Sequence, residues 1–410
     1  MLDFLSIAEE DIKRPRSGDP YIEVSPGFIA AKTRDLMVRG GALYGVWDED
    51  AGLWRTSIYD VIRLVDKELD RYVEGMPPDR RAIARAKHMR NEGNLKISNF
   101  LRHVRNLDDW YEQLDQRVIF SDTVVTREDY ATKRLSYPSL EGTINAYTEM
   151  MSVLFEPDEL QKLEWAVGAV IAGDAKTIQK FLVLYGAPGT GKSTYIDLIE
   201  LLFEFYAKPF KSQDLGDANR QFALAPFKEG PLIAFEHEGN LSKIQDNSNL
   251  NSVISHDLML INEKHKTPYT SRINAFLFIG SNKQMKISDA YSGLLRRLID
   301  VHPTGRVHTI DRYDILKEQM SFELGAIAFH CHKVYKKLGK NFYNGYRPTR
   351  MMFGTNALHN FVDNYYMEFS EAEYVTLSQA FDWYKAFMED SKERFILTPY
   401  RVPRGVQIIF

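Results

Sequence analysis

The sequence predicts an α/β fold in which a largely parallel sheet is covered by helices. Three continuous apolar runs carry that prediction: Phe181–Tyr185 (FLVLY), Leu232–Phe235 (LIAF) and Ala275–Ile279 (AFLFI). Each has the texture of a strand buried on both faces. Helical and polar segments separate them, as crossover connections require. The first run also leads straight into a glycine-rich turn and then a helix, which places that turn at the carboxyl end of a core strand.

Composition bounds the rest. At 410 residues the chain has room for two to four domains, and 44% hydrophobic with 12% aromatic content excludes a disordered or low-complexity protein. Lys plus Arg number 52 against 56 Asp plus Glu, a net charge of −4. That sum neither marks nor excludes a nucleic-acid binder, because local clusters decide. The single Cys331 excludes a disulfide framework and a Cys-rich zinc site. No apolar run approaches the roughly 18 residues of a membrane span, and the N-terminus lacks the basic start and apolar core of a signal peptide. The expectation is a cytoplasmic chain (host cytoplasm if phage-encoded) with no membrane partner.

The elements follow in order. Residues 1–150 read as a mixed, mainly helical accessory domain. Within it, Gly41–Trp54 (GALYGVWDEDAGLW) has the outline of a hairpin, with turn formers Asp48, Asp50 and Gly52 between aromatic and aliphatic flanks. Ser57–Tyr72 carries apolar residues at helical spacing: Ile58, Val61, Ile62, Leu64, Val65 and Leu69. Residues 80–105 hold Arg80, Arg81, Arg85, Lys87, Arg90, Lys96, Arg102 and Arg105 against one acid, Glu92. They read either as a solvated helix face or as a surface turned to DNA or another subunit. Asp158–Gly173 has early acids and a closing glycine, the pattern of a helix leading into the motor, residues 151–310. Helices return over Asp311–Leu338. The region 311–410 ends in a helix, Leu377–Met388, and the strand-like VPRGVQIIF.

Chemistry concentrates in five places. Gly186-Ala187-Pro188-Gly189-Thr190-Gly191-Lys192-Ser193, followed by Thr194, fits the phosphate loop G-x-x-x-x-G-K-[ST] between a buried strand and a helix. Its backbone amides would wrap the phosphates of ATP, Lys192 would bridge phosphate oxygens and Ser193 would ligate Mg²⁺. The run LIAF ends in Glu236-His237-Glu238. One carboxylate must serve the Mg²⁺ shell, with Glu236 as the metal-side candidate. A second must orient or deprotonate water, and period-two alternation would aim both at one site. Ser281-Asn282 closes the third apolar run, where Asn282 offers a donor and an acceptor without charge. Arg296 and Arg297 stand in tandem between aliphatics, a poor place for two unpaired buried charges. An arginine finger reaching a neighbouring subunit and a salt-bridged helix pair are both open. Last, Leu260–Ile273 enters as apolar chain, breaks at Lys264-His265-Lys266 and Pro268, and leaves as a strand. This is a hairpin with a cationic tip, suited to a phosphate backbone.

Assembled in this order, GAPGTGKST, LIAFEHE, ISHD with INEKHK, FIGSN and SGLLRRL resemble the superfamily 3 helicases of the AAA+ ATPases. The likeness is to the helicase part of phage, plasmid and poxvirus-type primase–helicases, and is clearest over residues 180–302. It implies an AAA+ P-loop core with a mainly helical N-terminal domain and a small helical, winged-helix-like tail. It implies an ATP-dependent DNA helicase working as a ring, a hexamer, on single-stranded or forked DNA, with a primase or polymerase as further partner. By the same resemblance Lys192, Glu236, Glu238, Asn282, Arg296 and Arg297 are catalytic. Asn282 is the sensor and Arg297, in preference to Arg296, the finger. Lys264, His265 and Lys266 contact DNA from the channel. His237 separates two acids that the family usually places together, and no clustered acids of a primase site stand in residues 1–180. Two other functions fit the same motifs: an AAA+ loader or remodelling ATPase without unwinding, and a P-loop kinase or nucleotide-binding regulator.

Overall fold

The structure, a computed structural model, describes residues 1–13, 19–29, 31–39, 43–91, 94–108, 110–216, 222–241, 246–262, 269–282, 293–348, 361–362, 365 and 375–390. The chain divides into two compact units, residues 1–138 with 260–269, and residues 139–259 with 270–410.

The first unit contains as much strand as helix. Strand β1 (Leu5–Lys13) pairs antiparallel with β2 (Tyr21–Phe28). Strands β3 (Leu36–Arg39), β4 (Leu43–Asp48) and β5 (Leu53–Arg55) form a second, antiparallel sheet. Helix α1 (Ile58–Glu74) follows, then α2 (Pro78–Ile83), β6 (Ala84–Ala86), which joins β2 in parallel, and α3 (Asn94–Arg105). The expected hairpin is β4–β5, with Trp47 opposite Trp54 and its turn made by Gly52 at φ 61°. The expected helix is α1, whose first turn is capped by the Ser57 hydroxyl accepting from the Tyr59 amide at 3.2 Å. Val61, Leu64 and Val65 of α1 pack on Phe4, Leu36, Val46 and Phe100 in one core. The expectation of a mainly helical domain is corrected by β1–β3 and β6. Strand β2 buries Ile22, Glu23 and Val24 in succession and β3 buries Leu36, Met37 and Val38, so neither shows the period-two alternation that marks a half-buried strand.

The basic stretch is partly neutralised inside this unit. Arg80 bonds Glu9, Lys87 lies 3.5 Å from Glu23, Arg90 lies 3.8 Å from Asp66, and Arg85 stacks 4.3 Å above the Tyr21 ring.

The second unit is a mixed α/β structure around a five-stranded parallel sheet. Helices α4 (Asn145–Leu154) and α5 (Pro157–Ile171) precede β7 (Phe181–Tyr185). Next come α6 (Lys192–Phe203), β8 (Ala207–Pro209), α7 (Ser212–Leu215), β9 (Ile233–Glu236) and α8 (Ser248–Ile254). Strands β10 (Leu258–Ile261) and β11 (Tyr269–Arg272), each divided between the two units, pair in a sheet of their own. Then β12 (Phe276–Ser281), β13 (Leu298–Val301), α9 (Ile310–Met320), α10 (Leu324–Leu338) and α11 (Leu377–Asp390) complete the described elements.

The strand order is β13-β7-β12-β9-β8, every pair parallel. The three apolar runs are therefore the three central strands, and β12 carries no residue with outward exposure. Phe181, Val183, Ala234, Leu277 and Ile279 on one face of the sheet share a core with Leu250, Val253 and Ile254 of α8. On the flank, α5 and α10 meet at Gly168, where an added Cβ would stand 2.2 Å from the Cys331 carbonyl oxygen. Only glycine permits that approach. No helix among the described residues is long and apolar enough to cross a membrane. The strand-like 402–410 lies outside the described residues.

Candidate nucleotide-binding site

The carboxyl ends of the central strands converge on one loop. In an open α/β sheet this edge is where ligands bind, and the chain crosses sides here, from β12 to β13 around β7. The loop leaves β7 at Gly186 and enters α6 at Lys192. Gly189 (φ 75°) and Gly191 (φ 92°) take left-handed backbone that side chains rarely adopt. A Cβ on Gly191 would also fall 2.6 Å from a Leu154 methyl, whereas Gly189 has nothing within 4 Å of that position. The loop thus packs on α4 at one end and is open at the other. The Thr190 hydroxyl donates to the Ala187 carbonyl at 2.8 Å and closes the turn.

Lys192 is buried, and its ammonium donates to the carbonyls of Gly186 (2.8 Å) and Ala187 (2.7 Å). Burial lowers its pKa, and the negative charge of Glu238 acts in the opposite sense. The lysine expected to bridge phosphates is therefore held inside the loop, within electrostatic reach of a carboxylate across the cleft. Ser193 is exposed at the helix start, while Thr194 is buried with its hydroxyl 3.2 Å from that of Tyr313 on α9. Of the two hydroxyls, Ser193 is the one left facing outward.

The two acids occupy different environments. Strand β9 ends at Glu236, whose Oε2 accepts from the Ser212 amide at 2.9 Å. Glu238 stands two residues past the strand, exposed and acting on Lys192. The period-two alternation expected to align them stops where the strand stops, and 237–238 form a bend instead. His237 lies 4.0 Å from Asp197 of α6 and edge-on to Phe235.

Strand β12 lies between the loop strand and the acid strand, and its end stitches both. The Gly186 amide donates to the Ser281 carbonyl at 3.2 Å, and the Gly239 amide donates to the Gly280 carbonyl at 2.7 Å. The Ser281 hydroxyl donates to the Gly239 carbonyl at 2.8 Å and is buried. Ser281 is thus a structural tie, and the exposed Asn282 is the next side chain, at the gap between loop and acids. Gly239 and Gly280 make this possible. A Cβ on Gly239 would meet Ile279 at 2.4 Å, and one on Gly280 would meet the His237 carbonyl at 2.5 Å.

The tandem arginines also separate. Arg297 is buried and donates to Gly293 O (2.7 Å), Ser255 Oγ (2.7 Å) and Asn251 Oδ1 (3.3 Å). Arg296 is exposed. Lys264, His265 and Lys266 lie outside the described residues, between β10 and β11.

Sequence reading passed over the residues that seat the loop from behind. After β13, Pro303 packs 3.4 Å from the Cβ position of Gly186, and Thr304 binds the backbone of Val153 and Leu154. Behind them is a buried polar network. Lys162 donates to Glu159 (3.0 Å) and to the Asp300 carbonyl (2.9 Å), and Asp300 holds His302 (2.7 Å) and the Tyr346 hydroxyl. Burial would raise the Asp300 pKa, but His302, Tyr346 and Lys162 outweigh it and hold that carboxyl below its ordinary value. The signal was present as charges at helical spacing in α5, but nothing local pairs them with residues 300–302.

Residues 184–297 match a family described as a family of unknown function (DUF5906). Among solved structures, the chain is similar to the apo structure of NrS-1 C terminal region (305-718), at 13% identity and TM-score 0.47, covering 86% of this chain and 82% of that one. It is also similar to the A form apo structure of NrS-1 C terminal region-CTR, at 14% identity and TM-score 0.46, covering 84% and 81%. Matches at this level assign no residue a role.

Proposed function

We propose that this chain is an ATP-hydrolysing DNA motor of the AAA+ superfamily 3 kind. In this reading it forms a ring, a hexamer, that moves along single-stranded DNA and opens forked DNA in phage or mobile-element replication. The observation that carries the reading is the convergence at one sheet edge of Lys192 in its loop, Glu238 acting on it from the acid segment, and Asn282 between them. A strand inserted between loop and acids supports an ATPase over a simple nucleotide carrier, because it brings a neutral polar group to the gap.

The residues fit ATP with Mg²⁺. The open left-handed glycine at 189 leaves space where a Cβ would sit, and the start of α6 supplies amides and partial positive charge. Mg²⁺ takes few protein ligands and keeps several waters. Ser193 and Glu236 are the residues to hold it, and the bound ion neutralises charge on the β- and γ-phosphates. Lys192 binds phosphate oxygens by leaving the Gly186 and Ala187 carbonyls. Glu238, exposed and unattached to the Ser212 amide that holds Glu236, orients the attacking water and takes its proton. Asn282 hydrogen-bonds that water or the γ-phosphate. Arg296, and not the buried Arg297, is the arginine presented for a neighbouring subunit. Lys264, His265 and Lys266 grip the DNA backbone.

The test is phosphate release from ATP with and without single-stranded DNA. Stimulated hydrolysis that disappears in Lys192→Ala is the expected result. Hydrolysis indifferent to DNA, in a chain that stays monomeric with an ATP analogue, would instead favour a kinase or nucleotide-binding regulator. DNA-stimulated hydrolysis without strand displacement would favour a loader.

A further inference from the structure

The first unit contains a cavity of about 510 Å³ lined by three aromatic rings and three cations, with Asp3 and Glu128 among them. Its size is that of a site for a small organic ligand. Trp54 is buried at its floor, stacked on Tyr130 at 6.2 Å and edge-on to Trp110 at 6.5 Å. Trp110 and Tyr130 are half-buried, so part of each ring faces the cavity. Lys32 and Arg34 stand exposed at its edge, Lys32 with its ammonium 4.9 Å above the Trp110 ring. No carboxylate pairs with Lys32 among the described residues, and the contact between Arg34 and Asp3 is a long one of 3.9 Å. Arg127, also in the wall, is committed to Asp35 and Glu49 at 2.8 Å each.

Two further features mark the cavity as more than a packing defect. Thr33 lines the wall, with its hydroxyl buried and without a hydrogen-bond partner. Tyr130 has φ 48°, rare for a bulky side chain, and is held there by the Thr126–Asp129 capping box before it.

We propose that this cleft takes one nucleotide of single-stranded DNA, its base against Trp110 and Tyr130 and its phosphate against Lys32 and Arg34. Flat apolar faces accept any base, and a base offers its own face only when unpaired. The two cations suit the adjoining phosphate. The exposed carboxylate of Glu128 in the wall suits an N–H on the edge of the base, while Asp3 is engaged by the Arg34 and Asp35 amides. The site shares no residue with the phosphate loop or with Lys264–Lys266.

The experiment uses the full chain carrying Lys264→Ala/His265→Ala/Lys266→Ala, so that the hairpin contributes nothing. A fluorescein-labelled oligothymidylate is titrated by anisotropy while tryptophan fluorescence is followed, without ATP. Binding with quenching is expected, weakened about tenfold by Trp110→Ala and restored by Trp110→Phe. Lys32→Gln/Arg34→Gln, two exposed changes that spare the core, should weaken binding and flatten the slope of log K against log salt by about 0.7, the value for one phosphate on a single strand. Affinity and slope unchanged in both sets would overturn the proposal. So would quenching by thymidine monophosphate at the same affinity as the oligonucleotide, which marks a free-nucleotide site. Quenching by a lysine-rich peptide in place of DNA would likewise reassign the aromatic faces to cation binding. Loss of ATP hydrolysis in Lys192→Ala leaves every one of these readouts in place, so the two proposals fail separately.

Discussion

Lys192 donates to two carbonyls of its own loop, and that arrangement explains why the glycines around it cannot change. The loop must curl tightly enough to present Gly186 O and Ala187 O inward, and Gly189 and Gly191 supply the left-handed backbone. In the proposed reaction, removing the ammonium would take away a charge-assisted contact to the transferred phosphate. Lys192→Ala should therefore cut ATP hydrolysis by about 100-fold or more, measured as phosphate release. The acids divide by environment. Glu238→Gln should abolish turnover while the protein still retains labelled ATP, whereas Glu236→Gln should raise the Mg²⁺ concentration needed for binding. If the two variants behave alike, the division drawn from the Ser212 contact is wrong. The loop was legible residue by residue because its chemistry is local. The division between Glu236 and Glu238 was not, since it depends on where β9 stops and on an amide 24 residues earlier in the chain. Arg297 shows the same limit: its partners Asn251 and Ser255 lie 46 and 42 residues away, so two adjacent arginines read alike until the fold buries one.

At the scale of elements, the central strands could be read because both faces are buried, leaving a continuous apolar signal in β7, β9 and β12. Strands β1 and β2 offer no such continuous run: Ser6, Glu9 and Glu10 interrupt β1, and Glu23 and Ser25 interrupt β2. The packing of α5 on α10 depends on Gly168, and replacing it with Val drives a side chain into the Cys331 carbonyl. Overpacking of this kind costs about 1–3 kcal/mol. The melting temperature should fall by roughly 2–4 °C per kcal/mol, read by calorimetry, and an unchanged value would mean that the helices separate freely. The network behind β13 gives stability a pH dependence. Because the folded pKa of Asp300 is depressed, its contribution is complete above the ordinary carboxylate range and is lost as pH falls through the folded value. Asp300→Asn should lower stability at neutral pH and flatten the acid limb of a stability-against-pH curve.

For the whole molecule, a net charge of −4 conceals how the positive charge is used. In the basic stretch of residues 80–105, Arg80, Lys87 and Arg90 are paired with Glu9, Glu23 and Asp66, while Arg81, Arg102 and Arg105 are exposed. Exposed cations with other uses are Lys32, Arg34 and Arg296. A ring places Arg296 opposite a neighbour's nucleotide, which predicts a mixing experiment. Arg296→Ala subunits added to Lys192→Ala subunits should restore part of the hydrolysis that each lacks alone, because a shared interface can then hold an intact loop and an intact arginine. Strictly additive residual rates would exclude a shared site. The central claim, that hydrolysis at the loop drives movement on DNA, is tested most directly by displacement of a labelled strand from a forked duplex, measured beside ATP hydrolysis for three proteins. The account predicts that the unaltered chain unwinds, that Lys192→Ala neither hydrolyses nor unwinds, and that Lys264→Ala/His265→Ala hydrolyses without unwinding. Unwinding at the unaltered rate by the hairpin variant would contradict it.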